Sequence, residues 1–370
     1  VTAIKPLSVA LVTPQLATLW QDPPTAGGAE VQVDLLARAL QPLARVTAVT
    51  FEPEPESPQA SLRLPDAYQV VLVPRSRARS SAMRAWADAR SMRRELVRLA
   101  PDVCVQRCLG LDTWAVASYA RSTGTPFVYH WASDSDLRGP ADRPSRLWPV
   151  YARARRRADL QVCQTAHQAG VAGGDAHVIP DLVDRTVAWQ QAKGDDVLWV
   201  GRLAPAAKRP DLFIKLARSL PHRRFRMVGP LSGHERFRAR LQAAIAATPN
   251  LEYTGALARD RMPDAYARAR VLVNTSDYEG WPNTFTEAWA CGVPIASLRV
   301  DPDGVLADGT AGSCAGGDLR RLADAVDAEF SRAPMAERRR AIRARLARHE
   351  PAAVAQAWVS ALTKLTGVTA

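Results

Sequence analysis

The stretch Asn274-Thr-Ser-Asp-Tyr-Glu-Gly-Trp-Pro-Asn-Thr-Phe-Thr-Glu-Ala-Trp-Ala-Cys-Gly-Val-Pro294 decides the fold. The apolar run 271–274 that leads into it is of strand type, Gly280 and Pro282 mark a loop, residues 284–291 carry a helical pattern, and 294–296 returns to strand type. Strand, one helical crossover and strand is the repeating unit of a parallel sheet. Two carboxylates, Glu279 and Glu287, flank the junction of loop and helix. Amide N–H groups at a helix start suit a phosphate or a sugar hydroxyl, and carboxylates accept hydrogen bonds from further hydroxyls. A nucleotide sugar offers both groups.

Upstream, Leu198-Trp-Val-Gly-Arg-Leu-Ala-Pro-Ala-Ala-Lys-Arg-Pro-Asp-Leu-Phe-Ile-Lys215 opens as a strand, passes Gly201, and presents Arg202 and Lys208 before a helix. Two cations beside a strand end can neutralise the charge that gathers on a departing diphosphate. The same alternation fills the chain. Strand-type runs recur at 8–13, 46–51, 70–74, 103–106, 127–130 and 160–164, then at 197–200, 226–228 and 251–254. A helix begins near Glu30, with Val31, Leu35, Leu36, Ala39 and Leu40 at helical spacing and Pro42 ending it. At 370 residues the chain exceeds what one core serves. The polar, aperiodic stretch 181–196 marks the division: a first domain over 1–185, a second over 186–350, and a last amphipathic helix in 351–370.

Order and spacing together resemble the family 4 glycosyltransferases of the GT-B fold. The E-x7-E pair Glu279 and Glu287, the following Ala-Trp-Ala-Cys-Gly-Val-Pro, and Gly201-Arg202 with Lys208 ahead of them carry the resemblance. Gly27-Gly28-Ala29-Glu30, Ile179-Pro180-Asp181-Leu182-Val183-Asp184 and Thr254-Gly255-Ala256-Leu257 before Asp264-Ala265-Tyr266 add to it. The resemblance implies two Rossmann-like α/β domains facing across a cleft, an acceptor-side first domain, and a second domain that binds the nucleotide sugar. The final helix is expected to cross back to the first domain. It implies a retaining, metal-independent hexosyltransferase. Arg202 and Lys208 would bind the donor diphosphate and Glu287 the ribose hydroxyls, while Glu279 would hold a sugar hydroxyl. Gly27 and Gly28 would let backbone approach the phosphates. The amides of Gly280, Trp281, Asn283 and Thr284 would face donor oxygens, and loops near Gly229 and Leu257 would meet the base. His130, at a strand end, would lie near the reacting sugar. Pro282 lacks an amide hydrogen, so one donor common in the family is missing. Trp131 stands where the family often has aspartate.

No cofactor is expected beyond the substrate itself, a nucleotide diphosphate sugar, and no metal. The triplets Asp134-Ser-Asp136 and Asp301-Pro-Asp303 are short enough to arise by chance. The acceptor would be a carbohydrate, a lipid-linked sugar or a small molecule. An odd set of five cysteines fits neither a disulfide framework nor paired zinc hooks, and points to a reducing cytoplasm.

Forty-nine Lys plus Arg against 37 Asp plus Glu leaves +12. Between Arg75 and Arg98, eight arginines face two acids, a surplus of six and half the net charge. An anionic membrane surface is one partner for that segment, placing the enzyme peripherally at the inner face of the cell membrane. The alternative is a solvated helix whose core stripe is Met83, Trp86 and Val97. A nucleic-acid-binding protein would explain the basicity, but the segment lacks interleaved aromatics and any recognisable module, so no nucleic acid is expected. A nucleotide-sugar epimerase of similar fold is the rival among enzymes, and the Arg, Lys and E-x7-E set argues against it.

Overall fold

A computed structural model describes residues 6–21, 27–53, 62–77, 80–138, 147–204, 207–332 and 335–368. The chain divides into two compact units, Val1–Leu182 with Pro351–Ala370, and Val183–Glu350.

Unit 1 is built on β1 (Ser8–Val12), β2 (Arg45–Phe51), β3 (Gln69–Val73), β4 (Val103–Arg107), β5 (Phe127–His130), β6 (Leu160–Cys163) and β7 (Ala176–Val178). All are parallel, in the order β3-β2-β1-β4-β5-β6-β7. Helices α1 (Gly28–Leu40), α2 (Ser81–Leu99), α3 (Leu111–Thr123), α4 (Ser135–Arg138), α5 (Trp148–Arg155) and α6 (Ala166–Ala172) connect them. Strand alternation separates two cores. Val9, Leu11, Val46 and Val103 face Leu35, Leu36 and Leu40 of α1, whereas Ala10, Val12, Val49 and Cys104 face Met92 and Leu96 of α2 and Val116 of α3. Both sheet faces are covered, which is why both faces of β1, β2 and β4 are largely apolar.

Unit 2 repeats the plan with β8 (Asp196–Val200), β9 (Arg224–Val228), β10 (Leu251–Gly255), β11 (Ala269–Asn274), β12 (Ile295–Ser297) and β13 (Gly312–Cys314). The order is β10-β9-β8-β11-β12-β13, again all parallel. Its helices are α7 (Pro210–Ser219), α8 (Glu235–Ala246), α9 (Met262–Ala267), α10 (Asn283–Ala290), α11 (Leu319–Ser331) and α12 (Met335–Ala344). Leu198 and Leu272 pack on Phe285 and Trp289 of α10. On the other face Val197, Trp199 and Val273 meet Phe213 of α7 and Leu322 and Val326 of α11. Asp318 caps α11 by accepting from the amides of Arg320 and Arg321.

The last helix, α13 (Pro351–Thr366), follows unit 2 in sequence but belongs to unit 1, where it packs on α1. Among the described residues no helix is long and apolar enough to cross a membrane.

Candidate functional site

In unit 2 the strand order reverses between β8 and β11, which are neighbours though far apart in the chain. Open parallel sheets bind ligands where the connections from two such strands leave in opposite directions. Lys208 follows β8 and Glu279 follows β11, and the structure joins them: Lys208 Nζ pairs with Glu279 Oε1. Ser276 Oγ donates to the same carboxylate oxygen at 2.7 Å. Thr275 Oγ1 donates to the carbonyls of Lys208 and Arg209 at 2.8 and 3.0 Å, and Trp199 Nε1 donates to Thr275 Oγ1 at 2.9 Å. The Lys208 loop is thus fastened to the end of β11. Ala207 and Arg209, on either side of Lys208, have φ of 62° and 50°. Left-handed backbone at two non-glycine residues costs energy and is held by those hydrogen bonds.

Helix α10 starts beside this pair with Pro282 at its N-cap, a residue whose ring offers no capping oxygen. Trp281 points away from solvent, its ring 5.8 Å from Trp289 and 4.6 Å from His349, with the Arg348 guanidinium 5.0 Å above it. Its side chain is core, so only its backbone faces the loop. One turn into α10, Glu287 accepts from Tyr266 Oη at 2.6 Å. Burial raises its carboxyl above the usual glutamate range, and Arg259, Tyr266 and Lys208 oppose that rise. Arg259 in turn pairs with Asp184. The site therefore gathers Lys208, Glu279 and Glu287, all expected from sequence, with Tyr266, Arg259 and Asp184 as supports. Tyr266 and Asp184 stood in family-like segments without a role, and Arg259, two residues past Leu257, carried no signal.

Arg202 sits exposed in the β8–α7 connection. Its neighbour Leu203 is held to the next loop, donating to the Pro230 carbonyl at 2.9 Å and accepting from Ser232 N at 3.0 Å. Gly229 has φ of 140°, and a Cβ there would fall 1.8 Å from the Gly201 carbonyl oxygen, so the close pass of these two strand ends requires glycine. Gly229 N donates to the Gly255 carbonyl at 2.8 Å, and Leu257, partly buried, packs on the α10 core.

Unit 1 places the remaining residues. Gly27 precedes α1, and its amide donates to Glu30 Oε2 at 2.9 Å. Gly28 opens the helix, exposed. His130, at the end of β5, is 3 % exposed. Arg107 Nη1 lies 2.9 Å from its Nε2, and Arg107 forks onto Asp181 with bonds of 3.0 and 2.9 Å. Gln164 Nε2 also donates to Asp181, and Trp358 of α13 stacks edge-on to the ring at 5.0 Å. Burial first and the Arg107 charge second push the imidazole well below its usual value, so it is neutral. Its ring is bordered by Arg107, Asp181 and Trp358. Arg107, which sequence reasoning passed over, links it to the domain junction.

The two DxD triplets have structural partners. Asp136 Oδ2 accepts from Tyr129 Oη at 3.0 Å and from Ala132 N at 2.9 Å, Asp134 accepts from Gln168 Nε2 at 3.0 Å, and Asp301 accepts from Leu306 N at 2.9 Å.

Residues 26–187 match the family model described as Glycosyltransferase Family 4, and residues 194–330 match that of Glycosyl transferases group 1. No curated protein matches the sequence. Solved structures of similar fold include sucrose-phosphate synthase from Thermosynechococcus elongatus, at TM-score 0.79 and 15% identity, covering 98% of this chain and 100% of that one. HepE of Anabaena, crystallised with UDP and glucose, gives 0.72 at 16% identity, covering 97% and 100%. AviGT4, involved in avilamycin A biosynthesis, gives 0.65 at 20% identity, covering 98% of each chain. With two family models spanning most of both units, and with two parallel Rossmann-like sheets, the chain belongs to the family 4 glycosyltransferases of the GT-B fold.

Proposed function

We propose that this glycosyltransferase is retaining and metal-independent, and moves a hexose from a nucleotide diphosphate sugar to an acceptor hydroxyl. The observation that carries the reading is the meeting of Lys208, Glu279 and Glu287 where the strand order of unit 2 reverses. The solved HepE complex, with UDP and glucose bound on a similar fold, supports a nucleotide-sugar donor.

In this reading Glu287 receives the two ribose hydroxyls, and Arg202 and Lys208 take the diphosphate. The amides of Gly280, Trp281, Asn283 and Thr284 turn toward donor oxygens, and Gly229 and Leu257 border the base. Glu279, paired with Lys208, exchanges that contact for a sugar hydroxyl as Lys208 turns to phosphate. The bond from anomeric carbon to phosphate oxygen breaks while the acceptor oxygen bonds to the same face of that carbon. The acceptor proton passes to the departing β-phosphate oxygen. The protein's part is electrostatic stabilisation of the leaving group, supplied by two cations in place of a metal. We place the enzyme in the bacterial cytoplasm, in polysaccharide, glycolipid or glycoside biosynthesis; five free cysteines accord with a reducing compartment.

The test is a comparison of variants. Lys208→Ala and Glu287→Ala should each weaken UDP or another nucleotide diphosphate by about tenfold or more, the loss of a charge-assisted hydrogen bond. Glu279→Ala should slow transfer while nucleotide affinity changes less. Activity should persist in EDTA, and proton NMR couplings should show an α-linked product from an α-linked donor. A β-linked product, or normal binding and turnover in all three variants, overturns the assignment.

A further inference from the structure

The arginines between Arg75 and Arg98 do not spread evenly over a solvated face. Arg90, Arg93 and Arg94, at i, i+3 and i+4 on α2, converge with Arg75 from the segment after β3 on a pocket of about 770 Å³ between α2 and α3. Arg79 lies outside the described residues. Ser91 and Ser118 add hydroxyls to the wall, and among the described residues no carboxylate lines it. Trp114 of α3 forms the far side, fixed by an edge-on contact with Trp86 at 4.9 Å.

The partners these arginines have are neutral. Arg75 Nε donates to the Glu52 carbonyl at 2.9 Å, and its guanidinium lies 5.0 Å over the Phe51 ring. Arg93 Nη2 donates to Ser122 Oγ at 3.1 Å, while its Nε is buried without a hydrogen-bond partner. Arg94 Nη2 donates to Ser91 Oγ at 2.9 Å. Arg90 has no hydrogen bond or ion pair among the described residues. Asp88, the acid on the adjoining turn, is buried and accepts from Ser76 N at 2.6 Å. Elsewhere the fold spends its acids on its arginines, as in Arg98 with Glu95, Arg226 with Asp196 and Arg338 with Glu329. Here four like charges are held around one space whose described lining holds no carboxylate. A ligand carrying closely spaced anionic oxygens would relieve them, and planar guanidinium forks match phosphate oxygens in particular.

We propose that the α2–α3 pocket of unit 1 binds a phosphate group, as a second anion site independent of the nucleotide site of unit 2. A dissolved phosphorylated compound and a lipid headgroup both carry such a phosphate, and the experiment separates the two. Full-length protein at low ionic strength is titrated with inorganic pyrophosphate while hydrogen exchange is read by mass spectrometry in peptides from α2 and α3. In parallel it is sedimented with phosphatidylglycerol vesicles and with phosphatidylcholine vesicles. Arg90→Gln/Arg94→Gln is the test variant; both residues are exposed, so the fold should persist, and unchanged UDP affinity shows that unit 2 is intact. A dissolved phosphate is indicated if pyrophosphate slows exchange in both peptides of the wild type and the variant needs about tenfold more or fails to respond. A headgroup is indicated if pyrophosphate has no effect but the wild type sediments with phosphatidylglycerol vesicles and the variant does not. No response to either ligand, or an equal response in the variant, overturns the proposal. Since UDP binding is read separately, failure here leaves the donor assignment untouched, and the reverse also holds.

Discussion

Lys208 and Glu279 lie 71 positions apart and meet only because β8 and β11 are neighbours in the sheet. Glu287, by contrast, is local to Glu279, one loop and one helical turn on. This difference explains what the sequence could disclose. The two glutamates and the two cations were legible as spacing within short segments, whereas Tyr266, 21 positions from Glu287, and the Arg259–Asp184 pair act across the fold and leave no local pattern. The support matters for pH dependence. Burial holds the Glu287 carboxyl above the ordinary glutamate range, and a protonated carboxyl accepts fewer hydrogen bonds from ribose. Nucleotide affinity should therefore fall on acidification at a higher pH than an ordinary glutamate would give, through the raised value of Glu287. Tyr266→Phe, which removes a hydrogen bond that favours the ionised form, should move that fall to still higher pH. Glu287→Gln should bind more weakly and lose this component altogether. Fluorescence titration of UDP between pH 4.5 and pH 8, about the range in which such a carboxyl titrates, reads all three; a midpoint unmoved by Tyr266→Phe contradicts the assignment.

Element by element, strands were the most legible where they are short apolar runs bounded by turn residues, whereas β7 (Ala-His-Val) and β13 (Gly-Ser-Cys) carry no such run and gave no signal. Faces were harder. In α2 the stripe that reads as core, Met83, Trp86 and Val97, is not the buried one: Met83 and Val97 are 64% and 51% exposed, and Trp86 is partly buried against Trp114. The core takes Ala89, Met92 and Leu96 instead. At 100° per residue Met83, Arg90, Arg94 and Val97 fall within about 60° of one another, so the exposed face mixes methionine, valine and arginine. Apolar periodicity cannot choose between two such stripes; contact with the sheet does. The loops at the ends of β8 and β9 show the same limit. Gly201 was read beside Arg202 and Gly229 as bordering the base, yet neither reading shows that a Cβ at Gly229 would meet the Gly201 carbonyl. Gly229→Ala should cost about 2–4 kcal/mol through a backbone clash and a φ that alanine avoids. Thermal unfolding should show that loss, and weakened UDP binding should accompany it as the Arg202 loop shifts. Gly304→Ala, at φ 69° with open space around its Cβ, serves as the control for backbone strain without a clash and should cost less.

At the scale of the molecule, the division of the chain into units does not follow sequence order, since α13 comes after unit 2 and completes unit 1. Its amphipathic pattern was legible, but only the fold shows what it covers. Val354, Ala355, Trp358, Ala361 and Leu362 are all buried in the core shared with α1 and one face of the seven-stranded sheet. Trp358 is 1% exposed and stands against His130, so it both fills that core and keeps the imidazole dry. Trp358→Ala should destabilise unit 1 by about 3–5 kcal/mol, the usual cost of emptying a buried aromatic position. Amide exchange separates the units: peptides from β1, β4 and α1 should lose protection, whereas those from β8, β11 and α10 keep theirs. A pH signature should follow. His130 is held below its ordinary value of 6.5 when folded, so the unfolded chain binds the proton more readily, and the stability this group contributes above 6.5 is lost as pH falls toward the folded value. Opening the Trp358 side lets water reach the ring and raises its folded value, which shrinks the acid-linked loss. Wild-type unit 1 should therefore lose more protection between pH 7 and pH 5, about the span over which an ordinary histidine titrates, than the already weakened variant does. Equal pH slopes in the two proteins would show that Trp358 packs the core without shielding His130.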